Sequence, residues 1–358
     1  MSNFKVEFTL KQHTPIIHFQ AGQRGATLRA SELKPKFDRF LKKYAFGGSV
    51  PNSFKIDKEK DALDYKVKIE VDISEPQDIP KRDELFFGNM KPKNMSDEEF
   101  EKVKKYFKHN KNSFKIEFVS FNTKLIEIIE EYFESFLANT NFGTRQSKGY
   151  GSFYLDKPFN PNLIKAKKVY SFNSINWKQD IGLFYKFLRQ GINLKNRDKK
   201  TLFYTKPAIY LYFKDRYDWE KKAIKEEIIN HKKINPENYR ILRDIFGLST
   251  SQFWISYRAN ITKSSDKFER FKSPITFKVI DKKVYFWVEE GYTKILNQNF
   301  KINKKLNLKT PKEFDFCDFF TFVKNLQLHQ TIDKKYQNRQ EFQTLNRILG
   351  NLKAQNAN

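Results

Sequence analysis

The sequence predicts an α+β protein. A ferredoxin-like (RRM-like) domain spans residues 1–157, and a second, degenerate ferredoxin-like domain with a helical insertion spans 158–358. Three observations predict this. Four segments of the first 157 residues alternate apolar and polar side chains with period two. Two segments between them repeat apolar residues at helical spacing. Their order is strand, helix, strand, strand, helix, strand, the split β-α-β arrangement.

In the opening strand Phe4, Val6, Phe8 and Leu10 alternate with Lys5, Glu7 and Thr9. A loop from His13 to Thr27 follows, with Gly22 and Gly25. The run RASELKPKFDRFLKKY predicts a helix with Leu33, Phe37, Phe40, Leu41 and Tyr44 on one face. Ser31 is placed as its N-cap, and Pro35 falls in the early turns, where proline is tolerated best. Gly47, Gly48 and Pro51 end it. A second strand runs from Tyr65 to Ile73 and a third from Ser113 to Phe121. Between them, residues 74–112 form an insertion with three prolines and a charged helix, SDEEFEKVKKYF. Thr123 caps a helix to Asn139, with Leu125, Ile128, Ile129, Tyr132, Phe133 and Phe136 facing the core. A glycine-rich loop, 142–152, then opens into the fourth strand, GSFYL.

Beyond residue 157 helices are expected at 176–190, 218–231, 236–246, 313–326 and 337–349, and strands at 168–172, 275–280 and 284–289. The stretch ITFKVIDKKVYFWVEE reads as a hairpin within 274–290. The helical insertion is expected over about 200–270, and the tail is expected to end in disorder.

Composition narrows the function. A chain of 358 residues predicts two domains, and 37 Phe supply apolar material for both. The single cysteine, Cys317, excludes an intrachain disulfide and a Cys-based zinc cluster, and fits a reducing, cytoplasmic setting. No apolar run is long enough to cross a bilayer, and the N-terminus lacks a secretory apolar segment, so no membrane association is expected. The histidines show no H-x-x-x-H spacing, and neither metal nor cofactor is expected. Lys plus Arg number 68 against 42 Asp plus Glu, a net charge of +26. An excess of that size predicts a polyanionic partner, nucleic acid first. A lysine-rich surface from a biased genome is the alternative, but that bias would raise Glu along with Lys.

Two segments carry the candidate chemistry. FGTRQSKGYGSF combines Gly143, Gly149 and Gly151 with Arg145, Lys148 and Tyr150. Glycines let a backbone approach a ligand closely, exposed N–H groups hold phosphate oxygens, and an aromatic ring stacks on a base. No G-K-[ST] follows at P-loop spacing. The alternative is a loose surface connection. The second segment, KQHTPIIHFQAGQRGATLRASELKPKFDRFL, supplies Arg24, Arg29, Lys34, Lys36 and Arg39 around a helix N-terminus, a position that attracts phosphate. An ordinary solvated helix face is its alternative. In a split β-α-β unit the two segments can line one groove.

A strand, then Thr14-Pro15, then Leu28-Arg29-Ala30-Ser31-Glu32-Leu33-Lys34, then the turn from Gly143 to Ser152 resembles the RAMP superfamily of CRISPR-associated RNA-binding proteins. Within it the chain is most similar to the two-domain subunit that begins the Cmr series of type III-B effector complexes. Lys34-Pro35 and Phe37-Asp38-Arg39-Phe40 stand where that family usually has K-G and then L-R-[FW]-W. Arg270-Phe271-Lys272-Ser273-Pro274 is similar to a strand start in its second domain. The resemblance implies a subunit that holds guide RNA, or its duplex with target RNA, beside other RAMP subunits of an antiviral ribonucleoprotein, without cutting it. It carries Arg29, Ser31, Lys34, Arg145, Lys148 and the three glycines over as RNA contacts.

Two other classes stay open. Some RAMP relatives process precursor CRISPR RNA without metal. For that metal-independent endoribonuclease chemistry His18 is the candidate general acid–base, with His13 positioning the loop. Those relatives tend to carry the turn near the C-terminus, whereas here it ends the first half. The third class is a basic scaffold for acidic protein partners.

Overall fold

The computed structural model describes residues 4–17, 27–57, 59–71, 94–99, 107–109, 112–254 and 257–356. The chain divides into two units. Unit 1 comprises Met1–Lys167 with Phe277–Asp281 and Asn356–Asn358, and unit 2 comprises Lys168–Thr276 with Lys282–Gln355.

Unit 1 contains β1 (Lys5–Gln12), β2 (Ile16–Ile17), α1 (Ala30–Tyr44), β3 (Lys55–Asp57), β4 (Lys60–Leu63), β5 (Lys66–Glu70), β6 (Phe107–Lys108), β7 (Phe114–Val119), α2 (Thr123–Asn139) and β8 (Phe153–Leu155). Its main sheet has the order β5-β7-β1-β8, with all neighbours antiparallel. The register pairs Val6 with Phe118, Phe8 with Ile116 and Leu10 with Leu155, so one face of the sheet is apolar. Both helices lay aromatic residues on that face. Phe37 of α1 lies 5.8 Å from Phe118 and 4.8 Å from Phe136 of α2, and Phe133 lies 4.7 Å from Phe8. Each fully buried Phe contributes roughly 1.5–3 kcal/mol. The opposite face is charged and self-paired: Lys5 bridges Glu7 and Glu117, and Lys68 pairs with Glu70.

Both expected caps move by one or two residues. Arg29, in extended conformation, precedes α1, and its carbonyl accepts the Leu33 N–H at 2.9 Å. Ser31 therefore lies inside the first turn. Asn122, not Thr123, caps α2, accepting the Leu125 N–H on its side chain at 3.3 Å. The hairpin β3–β4 was not anticipated, because its strands are too short to show a period. Most of the expected insertion, 74–112, including its charged helix, lies outside the described residues apart from 94–99, 107–109 and 112.

The strands that follow are β9 (Lys168–Asn173), β10 (Ile192–Lys195), β11 (Thr201–Thr205), β12 (Asp218–Trp219), β13 (Tyr239–Arg240), β14 (Ser251–Trp254), β15 (Ala259–Ser264), β16 (Ile275–Ile280), β17 (Lys283–Val288), β18 (Asn299–Ile302), β19 (Leu306–Lys309) and β20 (Lys353–Asn356). In unit 2, β9 and β17 pair antiparallel. The helix Trp177–Arg189 packs on them through Phe184, 5.6 Å from Phe172 and 5.7 Å from Phe286.

The expected helical insertion over 200–270 is corrected in part: Ala208–Phe213, Glu220–Ile224 and Lys225–Ile229 are helical, but strands take up much of the rest. This region supplies β11 to β15, and four of these join β18 and β19 in a sheet of order β12-β13-β19-β18-β15-β14. Residues 236–246 form two 3-10 turns and β13 rather than a helix. The period-two burial of ANITKS, with Ile261 and Lys263 inward, won over the helical reading. Under this sheet Ile261, Phe300, Ile302, Leu306 and Leu308 pack with Ala223 and Ile224. Two buried ion pairs lie in the same unit, Glu220–Arg243 and Asp244–Lys263. Burial works against the Glu220 charge, but Arg243 and Lys263 outweigh it and hold the carboxyl below its ordinary value. The tail is ordered where it is described, because Leu345, Ile348, Leu349 and Leu352 are buried along the helix Gln340–Gly350 and its end.

Candidate nucleic-acid interface

The glycine-rich turn is fastened to the segment after β1. Thr14, fully buried, donates its hydroxyl to the Gly149 carbonyl at 2.7 Å and accepts the Ser152 N–H at 2.9 Å. The Gly151 N–H donates to the Pro15 carbonyl, the Thr144 N–H to Ile17 and the His13 N–H to Ser152. The glycines are required by this packing. A Cβ on Gly143 would stand 2.5 Å from the Ile17 carbonyl oxygen, and one on Gly151 1.9 Å from that of Phe142. Both have positive φ.

The start of α1 closes the other side. Glu32 accepts the Gly143 N–H at 2.7 Å and pairs with Lys36 at 2.9 Å. Lys36 also donates to the Asn141 carbonyl and the Gln146 side chain, each at 3.0 Å. The sequence reading gave the turn's N–H groups to phosphate. Instead those of Phe142, Gly143, Thr144, Lys148, Gly149, Gly151 and Ser152 bond within the protein. At Gly143 the N–H is taken by the protein's own carboxylate, that of Glu32.

Residues 277–281 complete the mount. The Phe277 N–H donates to the Ser147 carbonyl, and Asn141 donates its amide to Phe277. Lys278 is fully buried. Its amine donates to the Thr140 carbonyl, the Asn141 side chain and the Phe153 carbonyl at 3.0–3.3 Å, tying both ends of the turn together. Burial lowers its pKa to about 7. The His13 ring accepts the Asp281 N–H on Nδ1 at 3.2 Å. Burial pushes its pKa down to about 4; Asp281 opposes this, while Lys278 and Lys11 reinforce it. His13 is thus a neutral structural residue.

The predicted contacts separate accordingly. Arg145 is exposed at the tip with φ +57, and partial burial of its guanidinium holds the pKa below its ordinary value. Arg29, half-buried, stands at the head of α1, and Ser31 and Arg39 are exposed along it. Lys34 is held by Asp38 at 2.9 Å, by the Leu63 carbonyl and by the Tyr65 ring. Lys148 turns its amine into the protein beside the Phe277 ring. Tyr150 keeps 5% of its surface, which leaves no open face for a base. Arg24 and His18 lie outside the described residues. Sequence reasoning missed Glu32 and Lys278 as parts of the mount. Glu32 was signalled by its four-residue spacing from Lys36, and Lys278 by a lone lysine in the apolar strand ITFKVI.

The Cmr1 N-terminal domain family matches residues 3–200, and the Cmr1 C-terminal domain family matches 204–349. Among solved structures, a type III-B Cmr-beta complex bound to cognate target RNA includes a chain 13% identical to this one. The match covers 43% of this chain and 59% of that one, with a TM-score of 0.27. Cmr1 from Pyrococcus furiosus, in its apo form, is 11% identical over 89% of this chain and 95% of its own, with a TM-score of 0.41. A RAMP protein that binds different RNA substrates is 12% identical over 86% and 98%, with a TM-score of 0.19. No curated protein matches the sequence. No described helix is long and apolar enough to cross a membrane.

Proposed function

The chain belongs to the Cmr1 family, and on that premise we propose that it is an RNA-binding subunit of a type III-B CRISPR effector ribonucleoprotein. It holds guide RNA, or the guide–target duplex, beside other RAMP subunits, and leaves cleavage to another subunit. Unit 1 is its ferredoxin-like RAMP domain; the sheet order β5-β7-β1-β8 with two helices on one face supports that assignment. The observation that carries the reading is the mounted turn. Thr14, Glu32, Lys36 and Lys278 fix the backbone around Arg145, so that this exposed residue, its guanidinium partly buried, stands at the tip of a turn docked beside the start of α1. A guanidinium suits phosphate, because its planar fork bonds two oxygens at once. Among the described residues no observation favours the processing-nuclease reading; its candidate acid–base, His18, lies outside them.

The test replaces Arg29 and Arg145 together by alanine. The hydrogen bonds of the mount described above use neither side chain, so circular dichroism should be unchanged while affinity for single-stranded or duplex RNA at low salt falls by roughly tenfold or more. Unchanged affinity in a folded variant would overturn the proposal.

A further inference from the structure

A second sheet face in the molecule has the opposite character to the paired, charged face of unit 1. In unit 2, β14, β15, β18 and β19 lie side by side. Ser251 opposes Thr262 and Phe253 opposes Asn260; Ser264 opposes Lys301, which in turn opposes Asn307, and Asn299 opposes Lys309. Directly opposed residues point to the same side of a sheet. All of these are exposed, while the alternate positions Ile261, Lys263, Phe300, Ile302, Leu306 and Leu308 are buried. The outer face is therefore built from Asn, Ser and Thr with two lysines and one phenylalanine. Phe253 keeps 59% of its surface.

The charge pattern selects the occupant. On the solvent face of unit 1, Lys5 and Lys68 are answered by Glu7, Glu117 and Glu70. Among the described residues of β14, β15, β18 and β19 there is no Asp or Glu, and the first carboxylate after β15 is Asp266, beyond the strand's end. The turn between β18 and β19 adds exposed Lys304 and Lys305. The one lysine of β15 points inward, where Asp244 neutralises it at 2.5 Å. Acidic residues thus accompany the buried lysine, and the outward ones are left for an external anion.

We propose that this face binds a single-stranded RNA segment, with Phe253 stacking on a base, Lys301 and Lys309 meeting phosphates, and Asn260, Thr262 and Asn307 bonding base or ribose edges. Phe253 and Lys309 lie three strand spacings apart, roughly 14 Å, a span that takes a few nucleotides. An open sheet with an aromatic platform and a cationic track is a general solution for unpaired strands, whose bases are free to stack; a duplex hides those faces. The choice of RNA rests on the reading above, but the site does not involve the glycine-rich turn.

The test uses the full chain with a fluorescent 12-nucleotide oligouridylate and a blunt 12-base-pair RNA duplex. Phe253→Ala is expected to weaken oligouridylate binding about fivefold or more, Phe253→Tyr to restore it, and duplex binding to change little. Lys301→Ala/Lys309→Ala should also weaken oligouridylate binding. Wild-type affinity of Phe253→Ala for the oligouridylate overturns the proposal, as does equal loss for strand and duplex. So would sheet variants that keep RNA affinity but lose a protein partner. Failure of the turn reading looks different: Arg29→Ala/Arg145→Ala would bind normally while the sheet variants bind weakly.

Discussion

Gly151 separates two reasons for a glycine. Its φ is +64, and an added Cβ would meet the Phe142 carbonyl oxygen at 1.9 Å. Gly47 has nearly the same φ, +61, with nothing within 4 Å. Alanine at 47 meets only the left-handed backbone cost, about 1 kcal/mol. Alanine at 151 adds a clash with backbone that Thr14 and Pro15 hold in place, and the total should reach ~3 kcal/mol or more. Urea unfolding of the two variants measures the difference. Equal midpoints would mean that the turn is loosely held, and the mount described above would lose its basis. Arg145 belongs to the same scale. Seven N–H groups of the turn bond within the protein, so the proposed reading rests on the Arg145 side chain rather than on a nest of N–H groups.

At the scale of elements, the turn depends on a strand 130 residues away. His13 and Asp281 pin the segment after β1, and Lys278 pins both ends of the turn, to residues 277–281. The ring accepts the Asp281 N–H only while neutral. Its folded pKa of about 4 lies below the ordinary 6.5, so between these values the unfolded chain takes up a proton that the folded chain refuses. The stability this contact provides is present above pH 6.5 and is lost as the pH falls toward 4. An NMR titration of the His13 ring should give a midpoint near 4; a midpoint near 6.5 would mean an open ring and no pin. The elements of unit 1 were legible in the sequence because each buries one face and so repeats its period, as Phe8, Phe118, Phe37 and Phe133 show. The turn was legible through its glycines and Arg145. Its fastening was not, because Glu32, Lys148, Tyr150 and Lys278 look like surface residues until distant backbone comes within bonding range. The short strands of unit 2 failed for a different reason: four or five residues fit either period, and only pairing decides between them.

For the whole molecule the surplus of 26 positive charges has to be located before it explains anything. Among the described residues a minority of the lysines pair with carboxylates; Lys5, Lys34, Lys36, Lys222 and Lys263 do so. The two proposed sites draw on four of the cations, Arg29 and Arg145 near the turn of unit 1 and Lys301 and Lys309 on the sheet of unit 2. Salt dependence can count these contacts, because each phosphate met by a single-stranded ligand lowers log affinity by ~0.7 per decade of salt. For a single-stranded RNA long enough to reach both sets, Arg29→Ala/Arg145→Ala should reduce the slope by ~1.4, and Lys301→Ala/Lys309→Ala by a similar ~1.4. If the two sets act independently, the fourfold variant should lose ~2.8. A slope that survives all four substitutions undiminished would place the phosphates on other cations, and the surplus at these four positions would then be solubility charge alone.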